Sequence, residues 1–302
     1  MYVQAPKSVV MIRPHHFRSN PETQCDNAFQ KPSEGDVRTA ARAEFDHVVE
    51  TLRTHGVTVH DFDDQSEDTP DSVFPNNWFS THAGGHIAVY PMYAANRRRE
   101  RRWDIIDLLK TQYRVQDIID YSGLEMDGLA LEGTGAMVLD HLGRVAYVAK
   151  SHRADPVLLE RFCTNFNFEP IAFDAADAAG RPVYHTNVLM AIGTACALVG
   201  LEMITDPARR DMVQNRLAET GRDVIALSAH QINEFAGNAI ELEGDDGLIL
   251  ALSARALAAL SGDQIKRIET RAQIVPLTIP TIETAGGSVR CMIAGLHLAR
   301  RT

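Results

Sequence analysis

The sequence is poor in the features that would make it something other than a folded globular protein. It has four cysteines in 302 residues, Cys25, Cys163, Cys196 and Cys291, and no two form a CxxC pair. That excludes a disulfide framework and fits reduced thiols in a cytoplasmic setting. No apolar run approaches the roughly 20 residues of a membrane span. The most apolar stretch, 188–201, is 14 residues long and contains Thr194 and two glycines, so it reads as core. The N-terminus has no apolar segment of signal-peptide length. Basic residues do not dominate: the formal net charge is -10, which argues against nucleic acid and anionic membrane as partners. No His, Cys or Asp cluster has zinc spacing, so neither a metal nor an organic cofactor is expected.

What is present is the composition of a soluble domain, 45 % apolar and 23 % charged, able to bury a full core. Ser33 and Asp36 resemble a capping box before an amphipathic helix that Gly56 ends. Asp155-Pro156 and Asp206-Pro207 each pair a capping residue with proline at a first helical position, predicting helices of roughly 12–15 residues. Further helices are expected over 98–111 and 253–269. Between them lie β-rich stretches at 9–13, 57–62, 87–90, 144–149, 223–227, 248–252 and 273–279. Strands and helices alternate throughout, which gives an α/β fold in one domain over 1–302.

Five segments look alike: Phe74-Pro-Asn-Asn-Trp, Glu132-Gly-Thr-Gly-Ala, Tyr184-His-Thr-Asn-Val, Phe235-Ala-Gly-Asn-Ala and Gly286-Gly-Ser-Val-Arg-Cys. Each is a small polar turn entering an apolar strand. Aligned at Asn77, Gly135, Asn187, Asn238 and Ser288, they recur at intervals of 58, 52, 51 and 50 residues. Near-constant spacing predicts a five-fold array whose equivalent turns converge on one axis.

These turns carry chemistry. Cys291 is a candidate nucleophile on the fifth turn, at a strand end. A thiol in that role needs a base or an imidazolium beside it, and His185 on the third turn can serve. His185 can also protonate a leaving amine and later activate water. Glu132 on the second turn can accept from an N–H-rich group. The run Arg97-Arg98-Arg99-Glu100-Arg101-Arg102 reads as an exposed helix start with one arginine turned inward.

Together these segments resemble the guanidine-modifying, amidinotransferase-like (pentein) superfamily, and within it the citrulline-utilisation hydrolases, or citrulline ureidases. The motifs Arg13-Pro14-His15-His16-Phe17, Leu131-Glu132-Gly133-Thr134-Gly135 and Gly287-Ser288-Val289-Arg290-Cys291-Met292 carry the likeness, which covers nearly the whole chain. The resemblance implies a five-bladed α/β propeller and a small amino-acid substrate; a homo-oligomer is left open. It implies that Cys291 attacks a guanidino or ureido carbon, that His185 acts as acid and then base, and that Glu132 grips substrate N–H groups. Arg97 and Arg153 fall where related hydrolases bind an α-carboxylate. Arginine deiminases and dimethylarginine hydrolases usually have aspartate where Asn77 stands. Deiminases also have His-x-Asp where this chain has His185-Thr186-Asn187. Asn77 and Asn187 therefore point to a neutral ureido group, since a cation carrying only donors favours carboxylates. Citrulline hydrolysis to ornithine, ammonia and carbon dioxide is the expected reaction. Arginine deiminase, dimethylarginine hydrolase and amidinotransferase activities are the alternatives, and a non-catalytic binding propeller is a remote one.

Overall fold

A computed structural model of the chain describes residues 2–31 and 35–301. It contains five three-stranded sheets with one wiring. In four of them an inner strand pairs antiparallel with a middle strand, and the middle strand pairs parallel with an outer one. The inner strands are Phe79–His82, Met137–Asp140, Met190–Ile192 and Ile240–Glu243. The fifth sheet has the same pattern but draws on both ends of the chain. Its inner strand Ala294–Leu296 pairs antiparallel with Ser8–Pro14, which pairs parallel with Thr58–Asp64. The N-terminal strand therefore joins the last unit to the first.

Burial follows the wiring. The inner strand Met137–Asp140 and the middle strand Val145–Ala149 are buried at every position. Strands covered on both faces read as continuous apolar runs. The outer strand Glu169–Phe173 buries Ile171 and Phe173 and leaves Glu169 exposed, so there the residues alternate. Helices in the middle-to-outer crossovers pack against the strands they link. In the fifth sheet that helix is Val37–Thr54, which packs on Ser8–Pro14 and Thr58–Asp64. Its buried stripe of Ala41, Phe45, Val48, Val49 and Leu52 has helical spacing.

The proline-initiated helices form at Pro156–Phe166 and Pro207–Ala218, with Asp155 and Asp206 accepting from Val157 and Ala208 backbone N–H groups. Three expectations change. Ser33 lies outside the described residues; the observed cap of the first helix is Asp36, which accepts from the Thr39 N–H. The helix expected over 98–111 is a 3-10 turn, Asn96–Glu100, followed by a helix, Trp103–Gln112. The helix expected over 253–269 is two, Ala254–Ala259 and Gly262–Glu269. Ser261 caps the second in a box with Gln264, and that local signal outcompetes helix continuation.

Four of the five repeated segments are single helical turns that feed inner strands, Pro75–Asn77, Gly133–Ala136, Thr186–Leu189 and Val289–Met292, and the segment from Phe235 is a non-helical turn before Ile240–Glu243. Cys291 therefore sits inside a helical turn just before its strand, one step earlier than the expected strand end. Among the described residues no helix is long and apolar enough to cross a membrane.

Candidate active site

Glu132 and His185 occupy equivalent places, each immediately before the first residue of its turn. Both are buried. The shared geometry aims them at each other: His185 Nε2 lies 2.8 Å from Glu132 Oε2. The other carboxylate oxygen accepts the Tyr93 backbone N–H at 3.0 Å. Two guanidinium groups stand near Oε2, Arg97 Nη1 at 3.5 Å and Arg153 Nη1 at 3.7 Å.

This arrangement sets the charges. Burial acts to raise the Glu132 carboxyl, but Arg153, the His185 bond and Arg97 overcome it and hold it well below the usual carboxylate range. Burial pushes His185 below its usual value, and Glu132 partly opposes that shift. The site thus holds an ionised carboxylate beside an imidazole that is neutral near pH 7.

Cys291 is buried, and its sulfur accepts two amide bonds, from Asn187 Nδ2 and Asn238 Nδ2, each at 3.2 Å. Asn238 also accepts the Arg290 backbone N–H on Oδ1 at 3.0 Å and donates to the Asn187 backbone carbonyl at 2.9 Å. One side chain therefore ties the third, fourth and fifth turns together. The Tyr184 hydroxyl donates to the Gly286 carbonyl, which joins the His185 and Cys291 turns again. Gly286 has φ +83°, and a Cβ there would collide with the Asn27 side chain.

All seven residues singled out in the sequence lie in this region, and most are linked by direct contacts. Asn77 Oδ1 accepts from Arg97 Nη2 at 3.0 Å. Arg97 also donates from Nε and Nη2 to Glu100, each at 2.9 Å, leaving few donors free. Arg153 is buried over the Tyr184 ring and forked by Asp26. Burial raises Glu100 to about 7 although Arg97 opposes the rise, and burial raises Asp71 as well.

Sequence reasoning aligned Asn238 with the other turns but gave it no role; its repeat position was the available signal. Asp26, Asp71 and Glu100 were missed, and nothing in their local sequence distinguishes them from surface acids. Among the described residues no group of three or more His, Cys, Asp or Glu is placed to hold a metal.

Five sheets of one wiring, with turns that carry a buried thiol and a His–Glu pair, define a pentein-type, guanidine-modifying class of protein. A family comparison agrees: residues 13–298 match the model of N,N dimethylarginine dimethylhydrolase, eukaryotic, and the chain belongs to that family. No curated protein matches the sequence. Solved structures show the same fold at low identity. The substrate-bound N-terminal domain of ArgZ, an arginine dihydrolase from the ornithine-ammonia cycle in cyanobacteria, superposes with a TM-score of 0.74 at 15 % identity, covering 96 % of this chain and 99 % of that one. Unliganded AgrE gives 0.74 at 16 % identity, covering 98 % of this chain and 39 % of AgrE. A mutant dimethylarginine hydrolase (DDAH) of Pseudomonas aeruginosa complexed with citrulline gives 0.65 at 14 % identity, covering 96 % and 99 %. The sequence motifs suggested the citrulline-utilisation hydrolases as nearest kin. The matches instead set the chain beside dimethylarginine and arginine hydrolases, so the guanidino alternative fits them better than citrulline.

Proposed function

We propose that the protein hydrolyses the terminal guanidino carbon of an arginine-type amino acid through a covalent bond to the Cys291 sulfur. The observation that carries this reading is the buried thiol, held by amide donors from the third and fourth turns, with the His185–Glu132 pair joining the third turn to the second. The Cys291 thiol gives its proton to His185 as the sulfur attacks the guanidino carbon, and His185 passes that proton to the departing amine. A thiouronium remains on sulfur. His185, now neutral, takes a proton from water, whose oxygen adds to the same carbon. The C–S bond then breaks and returns the thiolate. With arginine the products are ammonia and citrulline; with a dimethylated arginine they are dimethylamine and citrulline.

Glu132 binds substrate N–H groups and keeps His185 oriented. Arg153, with an Nη1 facing the site, is the reading for the α-carboxylate contact. Arg97, whose donors are largely engaged by Glu100 and Asn77, acts as a positioning residue for Asn77 and Glu132.

A second reading, citrulline as substrate, is favoured by a specific feature. Asn77 Nδ2 and Asn187 Oδ1 are buried with no protein partner. One is a donor and the other an acceptor. A ureido group has a carbonyl for the first and N–H groups for the second, whereas a guanidinium satisfies only the acceptor. Orphaned buried groups of this kind cost about 1–3 kcal/mol each, enough to discriminate between substrates.

The deciding experiment incubates the protein separately with arginine, asymmetric dimethylarginine and citrulline, and identifies products by mass spectrometry. Citrulline from either guanidino compound supports the first reading, and ornithine from citrulline supports the second. Ornithine with two ammonia from arginine would show both steps in one site. Turnover of none of them, or full turnover by Cys291→Ser, overturns the proposal.

A further inference from the structure

The inner strands of all five sheets enclose an axial chamber of about 50 Å³. That is room for roughly three to five waters, or one ion of formate size. Gln4 lines it and is fully committed there. Its Nε2 donates to the Leu139 and Ile192 carbonyls at 3.0 Å each, and its Oε1 accepts the His141 N–H at 2.9 Å.

The chamber is lined by a cation. Arg290 lines it and donates from Nη1 to the Ile293 carbonyl at 3.0 Å. Among the described residues no carboxylate oxygen makes an ion pair with it. Burial lowers the guanidinium to about 10, so it stays charged at neutral pH. The acid in the same wall, Glu241, turns away: its Oε2 accepts the Thr194 N–H at 2.7 Å and the Thr194 hydroxyl at 2.5 Å. Burial raises the Glu241 carboxyl, and the Thr194 bonds oppose that rise. The other titratable groups in the wall, His141 and His297, stack with ring centroids 3.8 Å apart. Burial and the Arg290 charge push His297 down to about 4, and burial pushes His141 well down, so both are neutral. A forked guanidinium among neutral imidazoles and backbone is complementary to a planar anion.

Arg290 is also the residue before Cys291. Its backbone N–H donates to Asn238 Oδ1, and Asn238 Nδ2 donates to the Cys291 sulfur. The Arg290 charge interacts electrostatically with Cys291, and neither His185 nor Glu132 lines the chamber. We propose that the axial chamber binds one small planar monovalent oxyanion, of the formate, nitrate or bicarbonate class, on the Arg290 guanidinium, and that its occupancy slows the reaction of the Cys291 thiol. A bound anion neutralises the Arg290 charge that interacts with Cys291, and so weakens its attraction for negative charge on the attacking sulfur.

The test follows the alkylation of Cys291 by iodoacetamide at fixed pH and constant ionic strength, with formate as the probe. Wild-type protein should slow saturably by about threefold or more, as expected for loss of one nearby charge. Arg290→Met should start slow and ignore formate. Arg290→Lys should keep a weaker response, because an ammonium lacks the fork. Arg153→Met must retain the formate response; its loss would assign formate to the substrate pocket and overturn the proposal. A wild-type rate independent of formate, or the same dependence in Arg290→Met, also overturns it. Should Arg290→Met fail to fold, Glu241→Gln decides: it should lower the formate midpoint, and an unchanged midpoint counts against the chamber.

Discussion

Asn187 and Cys291, 104 positions apart in sequence, meet at 3.2 Å through the amide nitrogen and the sulfur. Asn238 makes a second bond of the same length. An amide nitrogen only donates, so both bonds strengthen as the sulfur gains negative charge. Replacing either asparagine by alanine should slow Cys291 alkylation at neutral pH by about three- to tenfold, the net worth of one typical hydrogen bond. Mass spectrometry of the modified peptide reads this directly. Unchanged rates in both variants would remove the amides from any role in activation.

Gly135 offers a sharper steric test. A Cβ there would lie 2.0 Å from Asn77 Nδ2 and 2.9 Å from His185 Nδ1. Gly135→Ala must displace one or both. The expected result is a loss of about 1–3 kcal/mol in stability from overpacking. Turnover should fall by a larger factor, since small displacements of reacting groups cost about 10²-fold. Denaturant melts and steady-state kinetics on the same preparation separate the two.

Glu132 is held ionised by two guanidinium groups and His185. Glu132→Gln leaves those cations without their shared partner, and breaking a buried pair costs about 3–5 kcal/mol. It also removes the influence that opposes the downward shift of His185. We expect kcat/KM to drop by about 10²–10⁴, the usual share of positioned acid–base chemistry. Glu132→Asp should recover part of that. Equal turnover in Gln and wild-type proteins would rule out the carboxylate.

The pH dependence of stability has a definite sign. His185 has its folded pKa lowered from 6.5. Its contribution is therefore complete above about 6.5 and is lost as pH falls from there through the lowered folded value. His185→Gln should flatten that acid limb, by at most about 1.4 kcal/mol per pH unit. Only the difference between the two curves isolates His185. Buried His82, His141 and His297 are lowered too, and Glu100, raised to about 7, acts in the opposite direction. Urea midpoints at pH 5.5, 6.5 and 7.5 supply the comparison. A steeper acid limb in the variant would contradict it.

Much of this architecture could be read along the chain because its signals are local. Asp155-Pro156 and Asp206-Pro207 start helices where a cap and a fixed φ coincide. The middle strands Val145–Ala149 and Leu248–Ser253 are apolar because both faces are covered. The break at Ser261 was equally local, in Ser261-Gly262-Asp263-Gln264, and a long apolar period hid it. The groups around the site were less legible. Glu100 lies in a charged run that reads as a solvated helix start, yet it is buried against Arg97. Asp26 sits in a polar loop and forks Arg153, 127 positions away.

By itself the sequence determined that one turn occurs five times at about 50-residue intervals, and that a cysteine, a histidine, a glutamate and three aligned asparagines occupy it. Periodicity is written in the order of residues and needs no fold to be seen. Only the tertiary structure decided which of them touch. Closing the N-terminal strand Ser8–Pro14 against Ala294–Leu296 gathers the turns about one axis. That closure sets Glu132 on His185, two amides on Cys291, and Arg290 in a chamber where no carboxylate among the described residues pairs with it. Such pairings depend on distances across the axis, between residues 50 to more than 100 positions apart, which no local spacing encodes.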